Sequence, residues 1–293
     1  MTLVRKTAAF GLAASVLAGP ALGQSIAQDP VNTLDPPDMN AGALSFSAGN
    51  EFVSIYIFRG IEQEDEGIIT QPFVEVSTAV DLAGNAIDLT VGTWQSIHSR
   101  STGSAGTGAG NWYESDLYAS AGYAVNDQFY ASATFTGFYS PNGAFQDIEE
   151  IAFGLDYDDT ELLGDWAVAP YLFIAFETRD AGGSEDIYLE FGGELGAPFI
   201  ESEAIPVDLT FPFTFGFSLD DFYTNVDDGD NEGFGFFRIG AAASFPLDFV
   251  PADYGTWSAS AGLDLFFLND DAGLNDSGED FQIVGKIGVG VEY

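Results

Sequence analysis

The chain has 293 residues, of which 46 are acidic and only 7 are basic, so its formal net charge at pH 7 is −39. A surface of this sign repels phosphate groups and therefore excludes nucleic acid as a partner. Cysteine is absent, which argues against a small secreted domain held together by disulfides. The acidity suits either a cation-attracting surface and pore or a saline habitat, and both explanations stay open.

The N-terminus has the pattern of a secretory signal peptide over residues 1–23. Two basic residues precede an apolar run over residues 8–17, and a small-residue cleavage site ends at Gly23. The apolar run is too short to cross a bilayer as a helix, which favours a cleaved signal over a membrane anchor. Residues 24–41 are rich in Asp, Pro and Asn and lack periodicity, which predicts a flexible periplasmic lead-in.

From residue 42 to the C-terminus, hydrophobicity alternates with a period of two. Residues 207–219 show this most clearly, with Val, Leu and Phe at every odd position and polar or small residues between them. The same pattern predicts strands at 43–59, 70–81, 86–97, 112–125, 128–139, 147–158, 165–177, 186–196, 205–219, 233–245, 255–267 and 280–293. These lengths suit tilted strands that cross hydrocarbon, and no apolar run reaches the length of a transmembrane helix.

The pattern therefore predicts an all-β fold: an up-and-down antiparallel transmembrane β-barrel of about 12 strands over residues 42–293. In lipid every backbone polar group must be paired, so an open sheet edge is excluded and the barrel must close. A secreted β-sandwich is the alternative, since a strand with one apolar face also suits a sandwich core.

The connections between the predicted strands indicate the orientation of the barrel. The odd-numbered connections are mostly longer than the even-numbered ones, which predicts a bacterial outer-membrane protein with both termini in the periplasm. The final strand ends on Tyr293 and resembles the last strand that the outer-membrane barrel assembly machinery reads. That machinery and outer-membrane lipid are therefore expected partners. Aromatic girdles are predicted from Trp112, Tyr113, Trp166, Tyr254, Trp257 and Tyr293.

Charged residues on the polar faces of the strands are the candidates for lumen and selectivity sites. They are Arg59, Glu75, Asp88, Glu114, Asp116, Glu150, Glu177, Glu190, Asp208, Arg238, Asp264 and Lys286. Such carboxylates predict a porin-like channel for passive diffusion of small, preferably cationic or neutral solutes. The alternative is a plugged structural or adhesive barrel, because 12 strands lie between filled and water-filled barrels. Arg59 is expected to pair with a carboxylate such as Glu75.

One segment resembles a known family. Residues 56–63 read YIFRGIEQ, and Thr70, Gln71 and Pro72 follow. This resembles the N-terminal signature of the TorF-type porin family of proteobacteria, with a second Gln about eight residues after the first. The resemblance covers about 20 residues, and the apolar Ile55 and the acidic residues after Ile61 depart from it. It implies an outer-membrane barrel of poorly defined substrate, in which this segment ends the first strand and enters the first external loop.

Metal, cofactor and enzyme chemistry have little support in the sequence. Asp227, Asp228 and Asp230 resemble part of a calcium loop but lack its twelve-residue pattern, so a solvated acidic loop is the preferred interpretation. No cofactor is predicted. The single histidine, His98, has no assignable acid partner or nucleophile, so it is interpreted as a surface-loop residue. The sequence therefore does not predict an enzyme.

Overall fold

A computed structural model describes residues 44–100, 110–179, 186–196, 207–274 and 278–293. The predicted signal peptide and lead-in lie outside these residues. The strands in chain order are β1 (Ser45–Val53), β2 (Tyr56–Phe58), β3 (Ile61–Glu64), β4 (Ile69–Leu82), β5 (Asn85–His98), β6 (Trp112–Ala124), β7 (Phe129–Tyr139), β8 (Ile148–Tyr157), β9 (Tyr171–Arg179), β10 (Ile187–Gly196), β11 (Asp208–Asp220), β12 (Phe234–Pro246), β13 (Thr256–Leu268) and β14 (Phe281–Glu292).

Twelve of these strands, β1 and β4–β14, form one closed antiparallel barrel, which confirms the predicted fold. Each strand pairs with its neighbour in the chain, and β1 closes the ring by pairing with both β4 and β14. Closure leaves this sheet without an open edge, so its backbone hydrogen bonds are satisfied inside the wall.

The two ends of the barrel differ in their connections. We call the end that carries connections 54–68, 99–111, 140–147, 180–186, 221–233 and 269–280 the loop end, and the opposite end the turn end. At the turn end, the strand predicted to begin at residue 165 begins only at Tyr171. The Asp159 carboxylate accepts hydrogen bonds from the backbone N–H groups of Val168 and Ala169, which holds the preceding residues in a loop with a short helix, α1 (Thr160–Leu163). Among the described residues, no helix is long and apolar enough to cross a membrane.

The outer face of the wall is apolar. In β8, Ile151, Phe153 and Leu155 are exposed on this face, whereas Ala152 and Gly154 between them are buried inside. Aromatic side chains are exposed at both ends, with Trp112 at the loop end and Trp166, Tyr254 and Tyr293 at the turn end. An apolar belt between aromatic positions is the surface that a lipid bilayer requires of a barrel.

Tyr113 does not belong to these girdles, because it points into the barrel and is buried. The β5–β6 register pairs Ser96 with Glu114 and Ile97 with Trp112, so Tyr113 is an extra residue in β6. A bulge of this kind re-aims a side chain across the sheet, and strand alternation alone does not predict it.

The first predicted strand, 43–59, is in reality two elements. The barrel strand β1 ends at Val53, the chain bends at residues 54–55, and β2 and β3 form a separate hairpin inside the loop end of the barrel. Residues 60–69, which connect the first two predicted strands, are expected to form the first external loop, but residues 60–64 belong to this hairpin instead.

The hairpin turns at Arg59 and Gly60, which have φ angles of +47° and +83°. Two successive positive φ values are typical of a tight two-residue hairpin turn. A Cβ added at Gly60 would lie 2.6 Å from the Phe236 ring, so both the backbone and the barrel wall favour glycine there.

Candidate functional site in the barrel interior

The tip of the hairpin β2–β3 contacts the opposite wall through Arg59. Its guanidinium donates two hydrogen bonds to the Glu150 carboxylate, at 2.7 and 2.9 Å. The two side chains are only 3% exposed. Removal of one partner from a buried ion pair generally costs 3–5 kcal/mol, so this contact contributes strongly to the position of the hairpin. Arg59 thus pairs with one of the predicted lumen carboxylates, but this is Glu150 and not the suggested Glu75, because the hairpin carries Arg59 away from β4.

Aromatic rings surround the Arg59 guanidinium and exclude water from it. Its central carbon lies 4.4 Å from the ring centroid of Tyr188, and three further rings lie within 5.5 Å: those of Phe58, Phe173 and Phe222. The Tyr223 hydroxyl donates to the Arg59 carbonyl at 2.6 Å. The tip of the hairpin therefore lies in a dry pocket that combines an ion pair with cation–π contacts.

The sides of the hairpin contact the barrel mainly through side chains, since β2 and β3 pair only with each other. The side-chain hydrogen bonds to the wall are Tyr56 Oη to Glu114 at 2.6 Å, Gln282 Nε2 to Glu62 at 2.9 Å and Tyr113 Oη to Gln63 at 2.5 Å. Release of the hairpin would thus break side-chain contacts while leaving the ladder of the barrel strands intact.

His98 is part of this interface, so its assignment to a surface loop is wrong. The histidine is 1% exposed, stacks on Tyr113 with ring centroids 4.7 Å apart, and hydrogen-bonds Ser96 at 2.9 Å. Its Nδ1 lies 3.5 Å from the Glu64 carboxylate on the hairpin. The reason is that β5 extends one residue beyond its predicted end, so His98 takes an inward position of the strand.

Several inner carboxylates are held by tyrosine rather than by basic residues. The bonds are Tyr118 to Glu75 at 2.7 Å, Tyr130 to Asp88 at 3.1 Å, and Tyr171 and Tyr188 to Glu190 at 2.5 and 2.6 Å. Glycine makes room for such rings, since a Cβ at Gly92 would lie 2.4 Å from the Tyr118 ring. The tyrosines were missed as site residues, although a chain with 46 acidic and 7 basic residues needs neutral donors for buried carboxylates.

A second group of charges lies on β12, β13, β14 and β1. Asp264 hydrogen-bonds Lys286 and lies 4.0 Å from the Arg238 guanidinium, which also donates to Thr214 at 3.0 Å. A cavity lies beside them. It has about 30 Å³ of space in which the centre of a water molecule can lie. We call it the lumen cavity; its lining is Glu51, Val53, Ile55, Tyr56, Ile57, Gln71, Arg238, Asp264, Phe266, Val284 and Lys286. Glu51 and Gln71 were not among the predicted site residues.

The remaining predicted residues make none of the contacts described so far. Asp116 is buried beside Glu114 on the inner face of β6, whereas Glu177 and Asp208 are half-buried near opposite ends of the barrel. Asp228 accepts a hydrogen bond from the Asp230 backbone at 3.0 Å, within the same loop as Asp227. In the part of the chain that the structure describes, no three His, Cys, Asp or Glu residues are placed to hold a metal ion.

No family model matches this sequence, and no curated protein matches it. Solved structures with similar folds include an outer-membrane channel from Pseudomonas putida F1, with 10% identity, a TM-score of 0.45, and coverage of 89% of this chain and 100% of that one. The β domain of the Bordetella autotransporter BrkA has 12% identity and a TM-score of 0.41, covering 86% and 99%. The NanC porin has 11% identity and a TM-score of 0.40, covering 84% and 98%. The function of this chain must therefore be inferred from its own residues.

Proposed function

We propose that the chain is an outer-membrane, porin-like channel for small, preferably cationic or neutral solutes, closed in this conformation by the hairpin β2–β3. The observation that carries the proposal is the hairpin itself. It occupies the loop end of a barrel that has an apolar outer face and a charged interior, yet β2 and β3 pair only with each other. A closing element that takes no part in the ladder of the wall can leave without unfolding the barrel.

The cation preference rests on the charges of the inner face. Carboxylates outnumber basic residues there, and several of them, such as Glu75 and Glu190, have tyrosine hydroxyls as partners. A hydroxyl satisfies hydrogen bonds without supplying positive charge, so it leaves the negative potential in place. Rings of carboxylates raise the local concentration of cations and repel anions.

The orientation and the family belong to the same proposal. With both termini in the periplasm, the loop end faces outward, and the strand that ends at Tyr293 is the one offered to the assembly machinery. The resemblance to the TorF-type family is also part of the proposal. Of the residues in that signature, Tyr56, Arg59 and Gln63 hydrogen-bond side chains of the barrel wall, and a Cβ added at Gly60 would meet the Phe236 ring.

A plugged structural barrel is the second candidate, favoured by the burial of the hairpin tip. The Arg59 and Glu150 side chains are almost inaccessible to water, and Tyr56, Tyr188 and Tyr223 around the hairpin are equally buried. In this alternative, the hairpin stays inside the barrel permanently and the protein assembles in the membrane without conducting.

Recordings from the full chain and from a variant without the hairpin together distinguish the two candidates. Val53 and Ile69 are opposite each other in the β1–β4 register, so residues 55–67 can be exchanged for Asn-Gly, which suits a two-residue turn. We expect this variant to conduct steadily and prefer cations in planar bilayers, whereas the full chain opens rarely. Heat-modifiable gel mobility verifies that both barrels are folded. A full chain that never opens would leave the plugged barrel. A folded variant that does not conduct, or that prefers anions, would overturn the cation-preferring channel.

A further inference from the structure

We propose that the lumen cavity binds a small zwitterionic solute of the amino-acid type, which carries an ammonium and a carboxylate group. This inference deepens the proposed function, because it names the solute class that the closed channel would hold. It rests on three features of the cavity: an unpartnered buried amide, walls that carry both signs of charge, and a small volume.

The unpartnered amide belongs to Gln71. This residue is 1% exposed and lines the cavity. Neither Nε2 nor Oε1 has a hydrogen-bond partner among the described residues. A buried polar group without a partner costs about 1–3 kcal/mol, so an occupant that satisfies it gains binding energy. The amide both donates and accepts, so it suits either the carboxylate or the ammonium of a zwitterion.

The charges of the cavity wall are mixed. Glu51 and Asp264 supply two carboxylates, and Arg238 and Lys286 supply two cationic groups. A simple cation meets the two basic groups and a simple anion meets the two carboxylates, so each encounters repulsion as well as attraction. A zwitterion can turn its carboxylate toward the basic groups and its ammonium toward the carboxylates, so that each of its charges meets an opposite charge.

The volume limits the size of the solute. A space of about 30 Å³ for water centres corresponds to roughly two water molecules, since one water needs about 10–15 Å³ on this measure. Two waters occupy roughly 60 Å³ of liquid volume, which suits a two-carbon zwitterion such as glycine. Ile55, Tyr56 and Ile57 of the hairpin close the cavity on one side, so a larger side chain meets the hairpin.

Equilibrium dialysis of isotope-labelled glycine against the full barrel in detergent tests the site. Glycolamide is the matched probe, because it has the same atoms as glycine without the charges; acetate and ethylammonium test each charge alone. We expect saturable binding of one glycine per chain and at least about tenfold weaker binding of the other three. Absence of saturable glycine binding would overturn the proposal and leave water as the occupant. Equal binding of glycolamide and glycine would overturn the preference for a zwitterionic solute.

Two sets of variants locate the binding. Gln71→Leu keeps the approximate size of the side chain and should weaken glycine binding about tenfold, because it removes hydrogen bonds to charged groups. Gln95→Leu, on the outer face of β5, is the matched control and should bind as the native chain does. Asp264→Asn combined with Lys286→Gln replaces the ion pair by neutral groups and should abolish the preference for glycine over glycolamide. Unchanged binding by Gln71→Leu would place the solute elsewhere and overturn the site.

Conductance tests the channel independently of the site. Openings of the full chain and conduction by the chain with the replaced hairpin, without glycine binding by the full chain, would overturn the site and support the channel. Glycine binding by the full chain, without conduction by that variant, would support the site and overturn the channel. Since the hairpin forms one side of the cavity, its replacement should also lower glycine affinity.

Discussion

The two halves of the barrel interior share one wall but have different contents. At the loop end, large side chains of the wall and the hairpin fill the interior, and Tyr56, Trp94, His98, Tyr188 and Tyr223 are each about 1% exposed. Towards the turn end, small residues on the inner face are only half-buried: Ser47, Ser120, Ser132, Ser244 and Ser258. The difference shows that strand number alone does not decide whether a 12-strand barrel is filled.

The contrast between the halves has a mechanical consequence. Among the described residues, those that line the turn-end interior belong to the wall, so this half should change only if the barrel changes. The loop-end interior depends on the hairpin β2–β3, which is joined to the wall by side chains and by few backbone hydrogen bonds, such as Glu62 N to the Leu274 carbonyl at 2.7 Å. Perturbations of the hairpin contacts should therefore act on the loop end while the wall remains folded.

The largest effect is expected from Glu150→Gln, which leaves the buried Arg59 without its counter-charge. The closed position of the hairpin should lose about 3–5 kcal/mol, because an unpaired buried charge is costly. We expect frequent channel openings in planar bilayers and faster amide hydrogen exchange over residues 56–64. Glu149→Gln is the neighbouring control, since Glu149 pairs with Arg179 at 3.1 Å on the surface, where such pairs contribute about 0–1 kcal/mol. If the two variants open equally often and exchange amide hydrogens at the same rate, the pair of Arg59 and Glu150 does not hold the hairpin in its closed position.

An intermediate effect is expected from Gly60→Ala at the hairpin turn. The substitution combines a positive φ, which costs an L-residue about 1–2 kcal/mol, with a Cβ placed 2.6 Å from Phe236. Gly84→Ala is the control, because Gly84 has a φ of +88° at the turn end and nothing within 4 Å of an added Cβ. Gly60→Ala should increase channel opening, whereas Gly84→Ala should lower only the thermal stability of the barrel. Similar opening in both variants would mean that the contact with Phe236 is unimportant.

The barrel was largely predictable from the sequence because lipid and lumen impose opposite polarity on alternate residues. The predicted bounds of β4–β8 and β10–β14 agree with the structure to within a few residues. The end of β1 was missed because two alternating apolar runs follow each other there. Phe46 and Phe52 are exposed on the outer face, whereas Val53, Ile55 and Ile57 line the lumen cavity. Inside the barrel those isoleucines meet protein instead of lipid, and strand periodicity does not distinguish the two environments.

The candidate site was predictable only in part. Inner carboxylates such as Glu150 follow from the position of each residue along its strand. Their partners do not, because Arg59 and Glu150 are 91 residues apart and meet only through the fold of the hairpin. Gln71 was visible as part of a family signature, but its place in the lumen cavity depends on five neighbouring strands and the hairpin.

The smallest effect is expected from Tyr56→Phe, which removes one hydroxyl from the side of the hairpin. The Tyr56 hydroxyl donates to the buried Glu114 carboxylate at 2.6 Å, and its loss should cost the closed position about 1–3 kcal/mol. The matched control is Tyr118→Phe, which removes an equivalent bond, to Glu75 at 2.7 Å, that joins two wall strands. Hydrogen exchange should become faster over β2 and β3 in Tyr56→Phe, and over β4 and β6 in Tyr118→Phe. If both substitutions loosen the same residues, hairpin and wall unfold together, and the hairpin is not an independently moving element.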